Sequence, residues 1–240
     1  MKKFIAFLLV FVLSITVFVK PGFVKADSGD NELIQTPGSY QEYLEEQIQQ
    51  NISSGYEDPD LTAAYNQYMN YTDEEKTNFI NSLNYLNQPE VTTTTVNAID
   101  ELEAPGEVEL GQGIELVRED SSVVAPPDSR IIGGTYKTVT FKMTIFGLSV
   151  SSFSLTLYYN YKNGDYVTST NGALTAHKNF NPAVIITDGS AVGWADGGYG
   201  FANGNFRIAS VATLGFVSFT KRIEMKNVDP NGCDARFFTP

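Results

Sequence analysis

The sequence predicts an α+β protein: a small N-terminal helical module, an acidic linker and a C-terminal antiparallel β-sandwich. Three observations predict it. Apolar residues recur at helical spacing between residues 38 and 88, side chains alternate with a period of two beyond residue 135, and the stretch between is rich in Pro, Thr and acid with little periodicity. The 240 residues divide into a signal peptide (1–26), a polar leader (27–37), an acidic helical module (38–88), a Pro/Thr/acidic linker (89–130) and a sandwich domain (131–240).

The first segment is built for export. Lys2 and Lys3 form a basic start, Phe4 to Val19 an apolar run, and Pro21-Gly22 breaks it. Val24-Lys25-Ala26 then offers small or apolar side chains at the two positions a signal peptidase inspects, so processing is expected after Ala26 and the protein is expected to be secreted and extracellular. The run falls just short of the roughly 20 residues a spanning helix needs, and no later stretch approaches that length.

Charge separates the modules. Without residues 1–26 the chain holds 12 basic against 28 acidic residues, a formal charge of −16, which disfavours nucleic acid as a partner because like charges repel. Residues 27–128 carry 22 acids against Lys76 and Arg118, whereas residues 129–240 carry 10 Lys/Arg against six acids. Such a change of sign marks a change of module.

In the helical module, Tyr40, Leu44, Ile48 and Ile52 recur every four residues with Tyr43 beside them. Asp58-Pro59 offers an N-cap followed by proline at the first helical position, and Leu61, Ala64, Tyr65 and Tyr68 continue an apolar stripe. Thr72-Asp73-Glu74-Glu75 matches a capping box ahead of Phe79, Ile80, Leu83 and Leu86, and Pro89 ends that helix. The linker that follows contains one short apolar alternation, Val108-Leu110 and Ile114-Leu116-Val117, with room for a strand that docks on the next domain.

Beyond it, Val139, Phe141, Met143 and Ile145 alternate with Thr and Lys, and Phe153, Leu155, Leu157, Tyr159 and Tyr161 alternate with Ser, Thr and Asn. These are half-buried antiparallel strands. Asn163-Gly164 and Asn171-Gly172 carry hairpin-turn signals, Val184-Ile185-Ile186 reads as a short buried run, and Phe206, Ile208, Val217, Phe219, Ile223 and Met225 supply later strands. Seven to nine strands with short turns predict a sandwich rather than a large barrel.

Candidate chemistry is sparse. Arg130-Ile131-Ile132-Gly133-Gly134 resembles the activation junction of trypsin-like serine proteases, and Leu174-Thr175-Ala176-His177 resembles the segment around their catalytic histidine. The resemblance implies a serine activated by His177, a carboxylate orienting that ring and oxyanion donors. The sequence lacks the Gly-Asp-Ser-Gly-Gly nucleophile loop, and Asp188-Gly189-Ser190 stands without its flanking pattern. No catalytic residue is assigned, and the protein is read as a non-enzyme. Arg130 keeps another role, as a processing site that would make residues 27–130 an acidic pro-segment.

The Gly-rich segment from Asp188 to Asn205 leads into an alternating strand rather than a helix, so it lacks the amide cluster that holds phosphate and reads as a hairpin or loop. Its Trp194, Tyr199 and Phe201 can offer flat faces to a sugar ring or a protein partner, and they are the candidate binding residues. The segment Asp229 to Asp234 has oxygen ligands but no later bidentate Glu, and reads as a turn rather than a calcium loop. One histidine and one cysteine, Cys233, give no His/Cys metal site, and no metal or cofactor is expected.

The expected function is that of an exported, non-catalytic binding or structural protein, acting through its sandwich at the cell surface or in the extracellular matrix on cell-envelope polysaccharide or protein. The alternative is a membrane-active protoxin or antimicrobial protein activated by removal of residues 27–130, with the alternating residues 138–161 as the inserting hairpin. Membrane contact enters only there. The chain has the general look of exported proteins of Gram-positive bacteria, which carries no activity with it.

Overall fold

The computed structural model describes residues 36–88, 102, 104–123, 135–162, 166–210, 217–229 and 232–240. The expected cleavage site at Ala26, the Thr-rich stretch 91–95, the Asn163-Gly164 turn and Arg130 lie outside the described residues.

Among the described residues three helices form where caps and stripes direct them: α1 (Pro37–Ser53), α2 (Pro59–Met69) and α3 (Asp73–Leu86). Asp58 Oδ1 accepts the Asp60 amide at 3.0 Å with Pro59 at the first helical position, as the sequence indicates. The α3 capping box closes in both directions: Thr72 Oγ1 accepts the Glu75 amide at 3.2 Å, and Glu75 Oε2 accepts the Thr72 amide at 2.7 Å. A second box, Thr36 with Ser39, starts α1 and was hidden because serine stands where Glu or Gln is the usual sign. The α1 stripe differs from expectation. Tyr40 and Leu44 are buried, but Ile52 is exposed, because a four-residue spacing drifts about 40° per step around a helix of 3.6 residues per turn.

Among the described residues nine strands follow, in two antiparallel meanders. The five-stranded sheet runs β1 (Gly106–Gly111), β2 (Ile114–Val123), β3 (Thr135–Ile145), β4 (Leu148–Lys162), β5 (Tyr166–Asn179). The four-stranded sheet runs β6 (Val184–Asp196), β7 (Tyr199–Ser210), β8 (Val217–Val228), β9 (Asp234–Phe238). Seven of these strands fall in residues 131–240. The other two occupy residues read as linker: β1 and β2 form a hairpin around Gln112-Gly113, both at positive φ, and β2 pairs with β3 over its whole length. Its inward Ile114, Leu116 and Arg118 alternate with outward Glu115, Val117 and Glu119, so two of the acids that suggested a solvated linker stand on the wetter face of a strand.

Two further readings are corrected. Asn171-Gly172 is not a hairpin turn: it forms a bulge within β5, where Leu157 pairs with Ala173 but Tyr159 with Thr170. Val184-Ile185-Ile186 is not buried throughout: Ile186 faces inward while Ile185 is exposed on the outer face, because β6 is half-buried rather than covered on both sides.

The sandwich core lies between the sheets, with Val139, Phe141, Phe153, Leu155 and Leu157 from one and Phe206, Ile208, Ile223, Met225 and Phe237 from the other. Small residues let the layers close together. A Cβ on Gly204 would stand 2.6 Å from Thr175 Cγ2 and 2.7 Å from Leu155 Cδ1, and one on Gly193 would stand 2.6 Å from Leu157 Cδ1. On the outer face of β3 and β4, hydroxyls pair across strands: Thr138 with Thr156 at 2.8 Å and Thr140 with Ser154 at 2.9 Å.

A second core joins the helices to one end of the sandwich: Tyr40, Leu44, Leu61, Tyr68, Phe79 and Leu83 pack with Ile114, Ile145, Leu148, Val150 and Phe180. Side-chain hydroxyls from the helical segment also donate to carbonyls beside the strands. Tyr40 Oη bonds to the Phe180 carbonyl at 3.0 Å, Tyr71 Oη to that of Phe146 at 2.8 Å and Ser82 Oγ to that of Gln112 at 2.7 Å. Lys178 of β5 meets Asp58 and Asp60 at the start of α2. No helix among the described residues is long and apolar enough to cross a membrane.

Candidate functional site

Chemistry that faces solvent is concentrated on the outer side of the four-stranded sheet. The β6–β7 hairpin closes through Gly197-Gly198, both at positive φ, which suits the twist of a two-residue hairpin. With that register Trp194 pairs with Phe201 and Asp196 with Tyr199, so all three residues nominated from the sequence fall on one face. They sit on strands beside a tight turn, not in a flexible loop.

Trp194 and Phe201 stack with ring centroids 5.5 Å apart and planes only 10° from parallel. Trp194 is 41% exposed and Tyr199 44%, while Val192, two residues along β6 from Trp194, is 59% exposed. A stacked indole that retains this much solvent contact presents an apolar platform, because water is held off the pair's inner faces and left on the outer ones. Tyr166, also exposed, lies across the turn, where a Cβ on Gly198 would come within 2.8 Å of its Cδ1.

Polar side chains continue the platform across the sheet. Val192 pairs with Asn203, Asn203 with Glu224 and Glu224 with Arg236, one row over four strands. Arg236 donates to Glu224 Oε2 from Nε at 2.9 Å and from Nη2 at 2.7 Å, and its guanidinium lies 4.5 Å from the Phe238 ring centroid. In the next row Arg222 Nε donates to Asn205 Oδ1 at 2.9 Å, and Asn205 Nδ2 donates to Ser190 Oγ at 3.1 Å. Glu224, Lys226, Asp234, Ala235 and Arg236 line a depression of about 210 Å³ beside the platform. Together these groups offer a flat apolar surface flanked by fixed donors and acceptors, an arrangement that can hold a polyhydroxylated ring by its face and its rim. Sequence reasoning missed Val192, Asn203, Glu224 and Arg236, since cross-strand rows follow from register, which residue types alone do not reveal.

Other nominated residues take structural places. Asp229 Oδ1 accepts the Gly232 amide at 2.6 Å and closes the β8–β9 turn. His177 lies on β5 with Nδ1 3.0 Å from Asp188 Oδ1 on β6, where the two sheets meet. Cys233 packs against the sandwich core, and burial pushes its thiol up to about 12, a protonated and unreactive state.

The fold and this surface define a helix-capped antiparallel β-sandwich with an exposed aromatic platform. The chain has no significant match among family models, curated proteins or solved structures.

Proposed function

We propose that the protein is an exported, non-catalytic binding protein that holds cell-envelope polysaccharide on the outer face of its four-stranded sheet. The observation that carries this reading is the near-parallel, half-exposed Trp194–Phe201 pair, extended by Asn203, Glu224 and Arg236 in register. A pyranose ring stacks on the indole, and its hydroxyls exchange hydrogen bonds with the amide, carboxylate and guanidinium alongside. The Arg236–Glu224 pair is held in place before ligand arrives, which lowers the ordering cost of binding.

The intact chain is the working form in this reading. The apolar face of residues 138–161 is already covered by the opposite sheet and by the helices, and all of β2 is paired with β3, so freeing residues 131–240 for membrane insertion would require stripping a sheet.

Co-sedimentation of the secreted protein with purified cell-wall polysaccharide tests the proposal. Trp194→Ala is expected to weaken retention at least about tenfold, as truncating a central aromatic anchor does. Retention unchanged by that substitution, or absent from the unaltered protein on every wall polymer tried, would sink it.

A further inference from the structure

The aromatic platform occupies one end of the outer face of the four-stranded sheet, and two arginines stand toward the other. On β7 and β8, Asn205 pairs with Arg222 and Arg207 with Thr220, so Arg207 and Arg222 are diagonal neighbours on one face, about 7–8 Å apart at their Cα atoms. Each guanidinium is oriented through a neutral acceptor. Arg207 Nε donates to Ser218 Oγ at 3.1 Å, and Arg222 Nε to Asn205 Oδ1 at 2.9 Å. Asn205 is itself held, since its amide donates to Ser190 Oγ at 3.1 Å. Exposed hydroxyls flank the pair: Thr220 stands opposite Arg207 on β8 and Thr187 opposite it on β6.

These two cations differ from most others in having no carboxylate partner. Among the described residues Arg118, Lys142, Lys178, Lys226 and Arg236 each pair with an acid, whereas neither Arg207 nor Arg222 comes within ion-pair distance of one. The acids nearest in register are engaged elsewhere. Glu224, two residues along β8 from Arg222, meets Arg236 at 2.7 Å and Lys226 at 3.6 Å. Asp188 on β6 has Oδ1 3.0 Å from His177 Nδ1 of the other sheet. Asp196 and Asp234 share rows with Tyr199 and Lys226, at the aromatic end, and residues 211–216 between β7 and β8 include no acid. Two like charges on neighbouring strands repel, a cost that a negatively charged ligand removes. The acids of other faces are screened over about 8 Å at physiological salt, so this local charge decides what approaches closely.

We propose that the polysaccharide held on this face is an anionic one, its phosphate or carboxylate seated between Arg207 and Arg222 while a neutral ring stacks on Trp194. This rests on the polysaccharide reading above and adds the charge of the polymer to it. One oxyanion accepts N–H bonds from both guanidiniums and the Thr220 hydroxyl, which neutralises the pair. Phe201 and Asn205 lie four residues apart on β7, about 13 Å, too far for one sugar and suited to a short run of a linear polymer. Neutral rings fall at the end that holds Asp196 and Asp234, and anionic groups at the end that holds the arginines.

Retention of the full secreted chain on three immobilised wall polysaccharides of matched length, one neutral, one phosphate-bearing and one uronate-bearing, tests the assignment. At least one anionic polymer should be held about tenfold more tightly than the neutral one, and the arm that shows it names the anion. The double variant Arg207→Gln, Arg222→Gln should lose that preference, and Arg207→Gln alone, on an exposed side chain, should lose part of it. Lys142→Gln, which removes a cation from the outer face of the other sheet, should keep it, as a seated anion requires and general charge attraction does not. Trp194→Ala should weaken retention on all three polymers. Equal retention of neutral and anionic polymers, or a preference that survives the double substitution or falls as far in Lys142→Gln, would overturn this proposal and leave the polysaccharide reading standing. Retention on none of the three would overturn both.

Discussion

Arg118 shows how much one side chain can hold when it is buried and fully bonded. It pairs with Asp120 on its own strand and reaches the carbonyls of Cys233 and Ala235 at the start of β9, joining the two sheets. Arg118→Ala would leave Asp120 without its partner and both carbonyls without a donor. Its cost is expected to be about 3 kcal/mol by denaturant unfolding. A loss under 1 kcal/mol would mean that the clamp contributes little. Tyrosines make a second prediction at this scale. Burial pushes the phenols of Tyr43, Tyr68 and Tyr159 up to about 12, above the ordinary value of 10.0. A folded value above the unfolded one favours the neutral phenol in the native state, so the contribution is complete below pH 10 and disappears as pH climbs toward 12. Tyrosinate absorbance from these groups should appear together with loss of near-ultraviolet dichroism. Ionisation with the dichroism intact would contradict their burial.

Hairpins and their contacts set the next scale. Gly204 of β7 faces Thr175 and Leu155 at a distance that leaves no room for a methyl group. Gly204→Ala is expected to cost about 1–3 kcal/mol through overpacking, read as a lower denaturant midpoint at constant slope. No change would show that the sheets can part without penalty. Much at this scale was legible in the chain. Asp58-Pro59 and Thr72 with Glu75 announce two helix starts because caps are local chemistry, and the two-residue beat of β3 and β4 announces the inward face because one side of each strand is dry. What stayed hidden is non-local. The acids around β2 read as linker because their apolar partners on β3 are distant in sequence, and Asn171-Gly172 read as a turn because a bulge and a hairpin ask for the same residue types. The aromatic triad was legible by composition, but its shared face with Asn203, Glu224 and Arg236 depends on the register of four strands.

At the level of the whole molecule, the helices and the β1–β2 hairpin are as much part of the body as the later strands. Asn31–Pro240 forms one compact unit, with a core that includes Phe79 and Leu83 from α3 and Ile145 and Leu148 from the β3–β4 turn. A chain cut after Arg130 is therefore expected to remain a single particle: ten paired positions between β2 and β3, the Arg118 contacts to β9 and the helix–turn core hold the fragments together without a covalent link. Size-exclusion chromatography of the nicked protein should give one peak at the intact volume, with separation only in denaturant. Two peaks under native conditions would restore the pro-segment as a detachable piece.

Within each sheet, every strand bonds only to the strand before it and the strand after it in the chain. Such an order allows assembly to proceed in step with the chain's appearance, each new segment finding its neighbour already laid down. The contact from Arg118 to Ala235, by contrast, spans nearly half the polypeptide. Until the last strand arrives, that guanidinium lacks the carbonyls of Cys233 and Ala235, so the final closure works as a latch that fastens after the rest is built.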